Sequence, residues 1–241
     1  MNIHIYNSKS QIDQAVAKLL IDQVLENPKC TLGLATGSTP IGIYQLLVKD
    51  HLKNQTNYEQ VTTVNLDEYI GLPKTHGESY YNFMHRNLFS YINIQKDNIY
   101  LPDGLTDDLQ LACENYNRVL SQFVPDIQIL GIGTNGHIGF NEPNTPFDSK
   151  THIIELAEKT RKDNARFFNT MDEVPTHAIT MGIQNIMDAK KIILVATGKQ
   201  KASAVKAMIS GPVNESIPAS ILQKHNNVEI FLDKEAASLL L

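Results

Sequence analysis

The chain has no tryptophan and only two cysteines among its 241 residues. Cys30 and Cys113 are too few for a disulfide framework, and neither has neighbours at metal-ligand spacing. A reduced, cytoplasmic protein is expected on that ground. Runs of Lys or Arg are also missing. With 21 basic against 26 acidic residues, a net charge of -5 and a pI near 5.9, nothing in the charge suggests a nucleic-acid partner. No apolar stretch is long enough to span a bilayer, and no basic start leads into a long apolar run, so neither a membrane partner nor a signal peptide is expected. A Ser/Gly-rich linker, a low-complexity tract and a fixed-period repeat are all lacking, so residues 1–241 read as a single domain. What remains is an ordinary globular composition, 42% hydrophobic and 20% charged. A chain of that size buries a substantial core.

Strand-like and helix-like segments alternate. Met1 to Tyr6 reads as a first strand, followed by Ile12, Val16, Leu19, Leu20 and Val24 at helical spacing. Next come a strand Thr31 to Ala35, a helix from Pro40 to about Leu52 and a strand Val61 to Asn65. A helix is expected around Ser79 to Phe89, another from about Asp107 to Phe123, and a strand from Asp126 to Ile132. The last third gives a strand Lys191 to Ala196, a helix Lys199 to Ile209 and a strand Val228 to Leu232. Such alternation implies right-handed βαβ units, hence an α/β fold with a mainly parallel sheet and helices on both faces. The region from about Gly71 to Leu105 fits the pattern least and is read as a lid over the sheet edge.

Three segments that follow strands carry the chemistry. Ala35-Thr36-Gly37-Ser38-Thr39-Pro40 opens a helix, with Pro40 suited to its first position. Unpaired amides and the helix dipole there favour an anion, although a helix cap with a tight turn explains the same residues. The Gly-Lys-Ser ending of a Walker motif is absent. Asn65-Leu66-Asp67-Glu68-Tyr69 places two carboxylates where a buried strand emerges, as a general base or as solvated loop acids. Leu130 to Pro143 combines glycines that allow sharp turns with His137 and Glu142, a proton-transfer pair at the carboxyl end of a strand. Ligands of open α/β sheets bind at such strand ends. Two cations follow: Arg166, and Lys201 between a strand and a helix, either of which alone reads as solvated charge.

Thr36-Gly37-Ser38-Thr39-Pro40, Asn65-Leu66-Asp67-Glu68-Tyr69-Ile70-Gly71-Leu72-Pro73, Ser79-Tyr80-Tyr81-Asn82-Phe83-Met84 and Gly136-His137-Ile138-Gly139-Phe140-Asn141-Glu142-Pro143 resemble the glucosamine-6-phosphate deaminases. The match runs in order from near Leu32 to Lys201. It implies a modified Rossmann-like sheet and an enzyme of amino-sugar catabolism that uses neither metal nor organic cofactor. Its reaction would convert glucosamine 6-phosphate and water to fructose 6-phosphate and ammonia. By the resemblance, Asp67 would take the C2 proton and return one to C1, while His137, assisted by Glu142, would transfer the proton that opens the pyranose ring. Gly37, Ser38, Thr39, Arg166 and Lys201 would hold the 6-phosphate. Glu68 is the candidate to help ammonium depart.

Asn135 stands where many members have Asp. It can still orient the His137 ring through its side-chain oxygen but brings no full negative charge, so more of the ring-opening step falls to Glu142. Some larger members are hexamers activated by N-acetylglucosamine 6-phosphate through a basic cluster after the Asn-Glu-Pro block and a longer C-terminal tail. Here His152 and Ile154 fall on those cationic positions, so hyperbolic kinetics and a monomer or small homo-oligomer are expected. Two rival readings are a 6-phosphogluconolactonase, which needs no enolising base, and a non-catalytic sugar-phosphate sensor. The first strand begins at Asn2 without a preceding DNA-binding segment, which speaks against the sensor.

Overall fold

The computed structural model describes residues 1–158, 161–162, 165, 168 and 170–240. In chain order the described strands are β1 (Asn2–Tyr6), β2 (Thr31–Leu34), β3 (Thr62–Asn65), β4 (Asp67–Tyr69), β5 (Ile99–Tyr100), β6 (Ile127–Leu130), β7 (His152–Glu155), β8 (His177–Thr180), β9 (Ile192–Ala196) and β10 (Val228–Asp233). The described α-helices are α1 (Lys9–Glu26), α2 (Ile41–Asn54), α3 (Tyr80–Asn87), α4 (Leu109–Gln122), α5 (Ile183–Met187) and α6 (Ala202–Ser210).

Seven strands form one parallel sheet in the order β1-β10-β9-β6-β2-β3-β5. From β2 the chain runs outward to β3 and β5; from β6 it runs the other way, to β9 and β10. The strand order therefore reverses between β2 and β6, and a crevice opens beyond their carboxyl ends. Every residue of β2, β6 and β9 is buried. That is why these segments read as near-continuous apolar runs: helices cover both faces of a parallel sheet. α1 is capped by Ser8, whose hydroxyl accepts the Gln11 N–H, and it buries Ile12, Val16, Ala17, Leu20 and Val24 along one stripe. Burying such aliphatic side chains contributes about 1.5–3 kcal/mol each.

Two expectations need correction. Residues 71–105 are not simply a lid, because Ile99–Tyr100 form the outer strand of the main sheet, paired with Thr63 and Val64. Two residues are too few to show a period in sequence. The Asp67-Glu68-Tyr69 stretch is not a loop. It is β4, one edge of a separate antiparallel sheet ordered β4-β8-β7. Leu66 joins the two sheets, donating its N–H to Leu34 O at 3.1 Å and accepting the Met181 N–H at 2.7 Å. Smaller shifts occur at helix ends. Pro40 sits just before α2 and not within it, and Lys199–Lys201 form a 3₁₀ turn ahead of α6. Among the described residues, no helix is long and apolar enough to cross a membrane.

Candidate active site

A cavity of about 600 Å³ lies at the carboxyl end of the main sheet. Segments that follow four strands line it: Ala35–Thr39 after β2, Leu66 and Asp67 after β3, Gly131–Thr134 with His137 and Phe140 after β6, and Thr197, Gln200 and Lys201 after β9. The switch between β2 and β6 opens directly into it.

The β2 segment turns at Gly37, whose φ of 83° lies in the left-handed region that favours glycine. Ser38 and Thr39 follow at the head of α2, and among the described residues no side chain caps that helix. Its first-turn amides and dipole therefore favour a negative charge at this end of the cavity. Across from it, half-buried Lys201 donates from Nζ to Ile132 O at 2.6 Å, which fixes the ammonium at the cavity wall. Arg166, the other cation expected at the phosphate, lies outside the described residues.

Asp67 occupies the first position of β4, opposite Thr180 on β8. It is 6% exposed, and its carboxyl is pushed up from 3.8 to about 8, chiefly by burial and then by the charge of Glu68. A buried carboxyl of this kind suits a base that must take a proton from carbon. Glu68 does not line the cavity. Its carboxylate accepts backbone N–H groups from Tyr69, Tyr80 and Tyr81, each at 2.9 Å. Burial still raises its pKa, against the pull of these amides and of Lys74. Its oxygens are thus committed to the backbone.

The β6 segment brings an imidazole, His137, to the same cavity. Gly133 gives the His137 ring its seat, since a Cβ there would lie 2.3 Å from the ring. Gly136 and Gly139 turn the chain at φ of 87° and 57°. His137 Nδ1 stands 3.6 Å from Glu142 Oε2, and the same oxygen accepts a hydrogen bond from Asn135 Nδ2 at 2.7 Å. Asn135 Oδ1 accepts the His137 backbone N–H at 3.2 Å. Asn135 was expected to orient the ring through its oxygen. That oxygen instead serves the backbone, and the amide grips Glu142, which faces the ring.

Of the residues singled out in sequence, Gly37, Ser38, Thr39, Asp67, His137 and Lys201 line one cavity, while Asn135 and Glu142 stand behind His137. Tyr80 also lines the cavity and carried no assignment beyond its place in a motif. Its ring stacks on Phe140 with centroids 6.1 Å apart at 15°, and burial pushes its phenol well above the ordinary range. A tyrosine on a helix gives no sequence signal of its own, because it reads as core.

The fold and this cavity define an α/β protein with a polar cleft at the carboxyl ends of its parallel strands, and comparison with known proteins makes the class specific. A family model described as glucosamine-6-phosphate isomerases/6-phosphogluconolactonase matches residues 7–231. The chain belongs to this family. It is 52% identical over 221 residues to a glucosamine-6-phosphate deaminase of Halalkalibacterium halodurans, covering 91% of this chain and 90% of that one. It is 51% identical to a glucosamine-6-phosphate deaminase of Lactobacillus delbrueckii subsp. bulgaricus, covering 100% of both. A solved structure of a monomeric glucosamine-6-phosphate deaminase superposes with a TM-score of 0.97 at 42% identity, covering 99% of this chain and 100% of the other. The 6-phosphogluconolactonase of Trypanosoma brucei shares the fold, with a TM-score of 0.81 at 21% identity and coverage of 100% and 98%.

Proposed function

We propose that this chain is a glucosamine-6-phosphate deaminase, converting glucosamine 6-phosphate and water to fructose 6-phosphate and ammonia. The observation that carries this reading is the buried Asp67 in the same cavity as His137. An aldose-to-ketose shift needs both a base at C2 and a proton-transfer group at the ring oxygen. Identity near 50% to deaminases over almost the whole chain supports it.

In this reading the 6-phosphate sits against the amides and hydroxyls of Gly37, Ser38 and Thr39 and the Lys201 ammonium. Arg166 is assigned to the same group from its motif position. Binding at the phosphate fixes the reacting carbons and so lowers the entropic part of the barrier. His137 delivers a proton to the ring oxygen as the C1 hydroxyl loses its own, opening the pyranose to an aldehyde, with Glu142 supporting the charged imidazole. Asp67 then removes the C2 proton to give an enolamine and returns a proton to C1, leaving a C2 ketimine. Water adds to that carbon and the C–N bond breaks, releasing ammonia and the ketose. A lactonase would hydrolyse an ester-like bond and have no use for an enolising carboxyl at position 67.

The test is incubation with glucosamine 6-phosphate while ammonia and fructose 6-phosphate are measured together. Equal yields of both support the reading. Hydrolysis of 6-phosphogluconolactone with no ammonia from glucosamine 6-phosphate would overturn it.

A further inference from the structure

Asp67 and Glu68 are consecutive on β4 and both buried, so strand geometry sends their side chains to opposite faces. Asp67 faces the cavity. Glu68 faces the amino end of α3. An α-helix leaves its first four N–H groups without intrahelical partners. In α3 those of Asn82 and Phe83 are taken by Ser79, through its hydroxyl at 3.1 Å and its carbonyl at 2.9 Å. Those of the first two residues, Tyr80 and Tyr81, are taken by Glu68, one on each carboxylate oxygen. The carboxylate also lies at the positive end of the helix dipole, which stabilises its charge.

We infer that Glu68 is a positioning residue of the reaction: its carboxylate ties the amino end of α3 to the strand that carries Asp67. The base and the Tyr80 wall of the cavity therefore keep one geometry. Three observations converge on this. The carboxylate meets three amides at 2.9 Å each. Tyr80, the first residue of α3, is itself part of the cavity wall. The Tyr80 ring also packs against Tyr69 of β4, with centroids 4.7 Å apart. The Glu68 charge beside Asp67 has a second consequence, since it makes that carboxyl hold its proton more firmly. The charged and titratable groups around this pair are Lys74 before α3, which acts on Glu68, and Tyr69 on β4, Tyr80 on α3 and Tyr116 on α4, which feel Asp67; Glu78 acts on Tyr69.

The inference rests on the deaminase reading, and the wild-type assay separates the two: a wild type that releases no ammonia defeats that reading, whereas the variants address only Glu68. Glu68→Gln keeps the shape but sets an NH₂ group where a carboxylate oxygen now meets an N–H. Glu68→Asp keeps the charge but is one methylene too short to span the same amides. For Glu68→Gln we expect kcat to fall about 10–100-fold, as for a misplaced reacting group. KM should change little, because the phosphate grip lies on other segments. The acid limb of kcat/KM should move to lower pH, since a negative charge beside the base has gone. For Glu68→Asp, kcat should fall while the limb stays in place. Wild-type kcat in Glu68→Gln, or a fall in kcat with the limb unmoved, overturns the inference. If Glu68→Gln does not fold, Glu68→Asp decides alone, and wild-type kcat in that variant overturns it.

Discussion

Asn135 Nδ2 donates to Glu142 Oε2 at 2.7 Å, and that same oxygen stands 3.6 Å from His137 Nδ1. The amide orientation is set by its partners, a carboxylate on one side and the His137 N–H on the other. An Asp at this position could not donate to Glu142 unless protonated, so Asn and Asp organise the same three residues differently. Here a neutral amide places one negative charge against the imidazole.

Replacing Asn135 with Leu, close in volume but unable to hydrogen bond, should free Glu142 from its grip. Losing a hydrogen bond to a charged group costs about 1.5–3 kcal/mol. The expected outcome is a kcat lower by about 10–100-fold with KM nearly unchanged, read from steady-state kinetics. An unaltered kcat would remove Asn135 from the ring-opening machinery.

Lys201→Ala should act on binding instead. Its ammonium, anchored to Ile132 O, is assigned to a phosphate remote from the carbons that react. Removing such a charge-assisted contact costs about 1.5–3 kcal/mol, which raises KM about 10–100-fold. Glucosamine without the phosphate should be a very poor substrate for the wild type. Equal turnover of the two sugars would refute the phosphate assignment.

Asp67 carries a cost for the fold that its removal should expose. Its folded carboxyl titrates near 8, well above its ordinary 3.8. Between those values the folded state binds more protons than the unfolded one, so stability falls as pH rises through the interval. Asp67→Asn, which cannot ionise, should therefore melt at a higher temperature than the wild type. The gain should grow from about pH 4 to about pH 8 and level off above, as followed by thermal unfolding across that range. A variant less stable than the wild type at alkaline pH would contradict the burial assigned to this carboxyl.

The parallel sheet was legible because β2, β6 and β9 are buried on both faces and so appear as apolar runs. That the Thr36–Thr39 and His137 segments meet at one cavity was legible because glycines, hydroxyls and an imidazole cluster just after those runs. The small antiparallel sheet was not. β4 has three residues, two of them acidic, and its partner β8 lies more than a hundred positions along the chain. No local pattern announces that Asp67 will pair with Thr180. Nor does sequence distinguish two adjacent carboxylates, although the strand sends Asp67 into the cavity and Glu68 to the amides of α3.

His152 and Ile154 lie on β7, the outer strand of that small sheet. Ile154 packs on the cluster of Tyr69, Phe140 and Leu156, and an apolar side chain cannot pair with a phosphate. Allosteric activation requires a second site whose affinity differs between two states. We therefore expect hyperbolic substrate saturation and no activation by N-acetylglucosamine 6-phosphate. A sigmoidal curve that becomes hyperbolic on adding that compound would contradict this, and would leave the deaminase reading intact.

Proton transfer at C2 tests the central claim most directly. Turnover of glucosamine 6-phosphate in deuterium oxide, followed by NMR of the fructose 6-phosphate formed, reports whether a solvent-derived deuteron arrives at C1. The wild type should incorporate it. Asp67→Asn should lose both this incorporation and turnover by about 10²–10⁴, the usual cost of removing a general base, while still binding the phosphorylated sugar. If Asp67→Asn exchanges and turns over at the wild-type rate, Asp67 is not the base and the account fails.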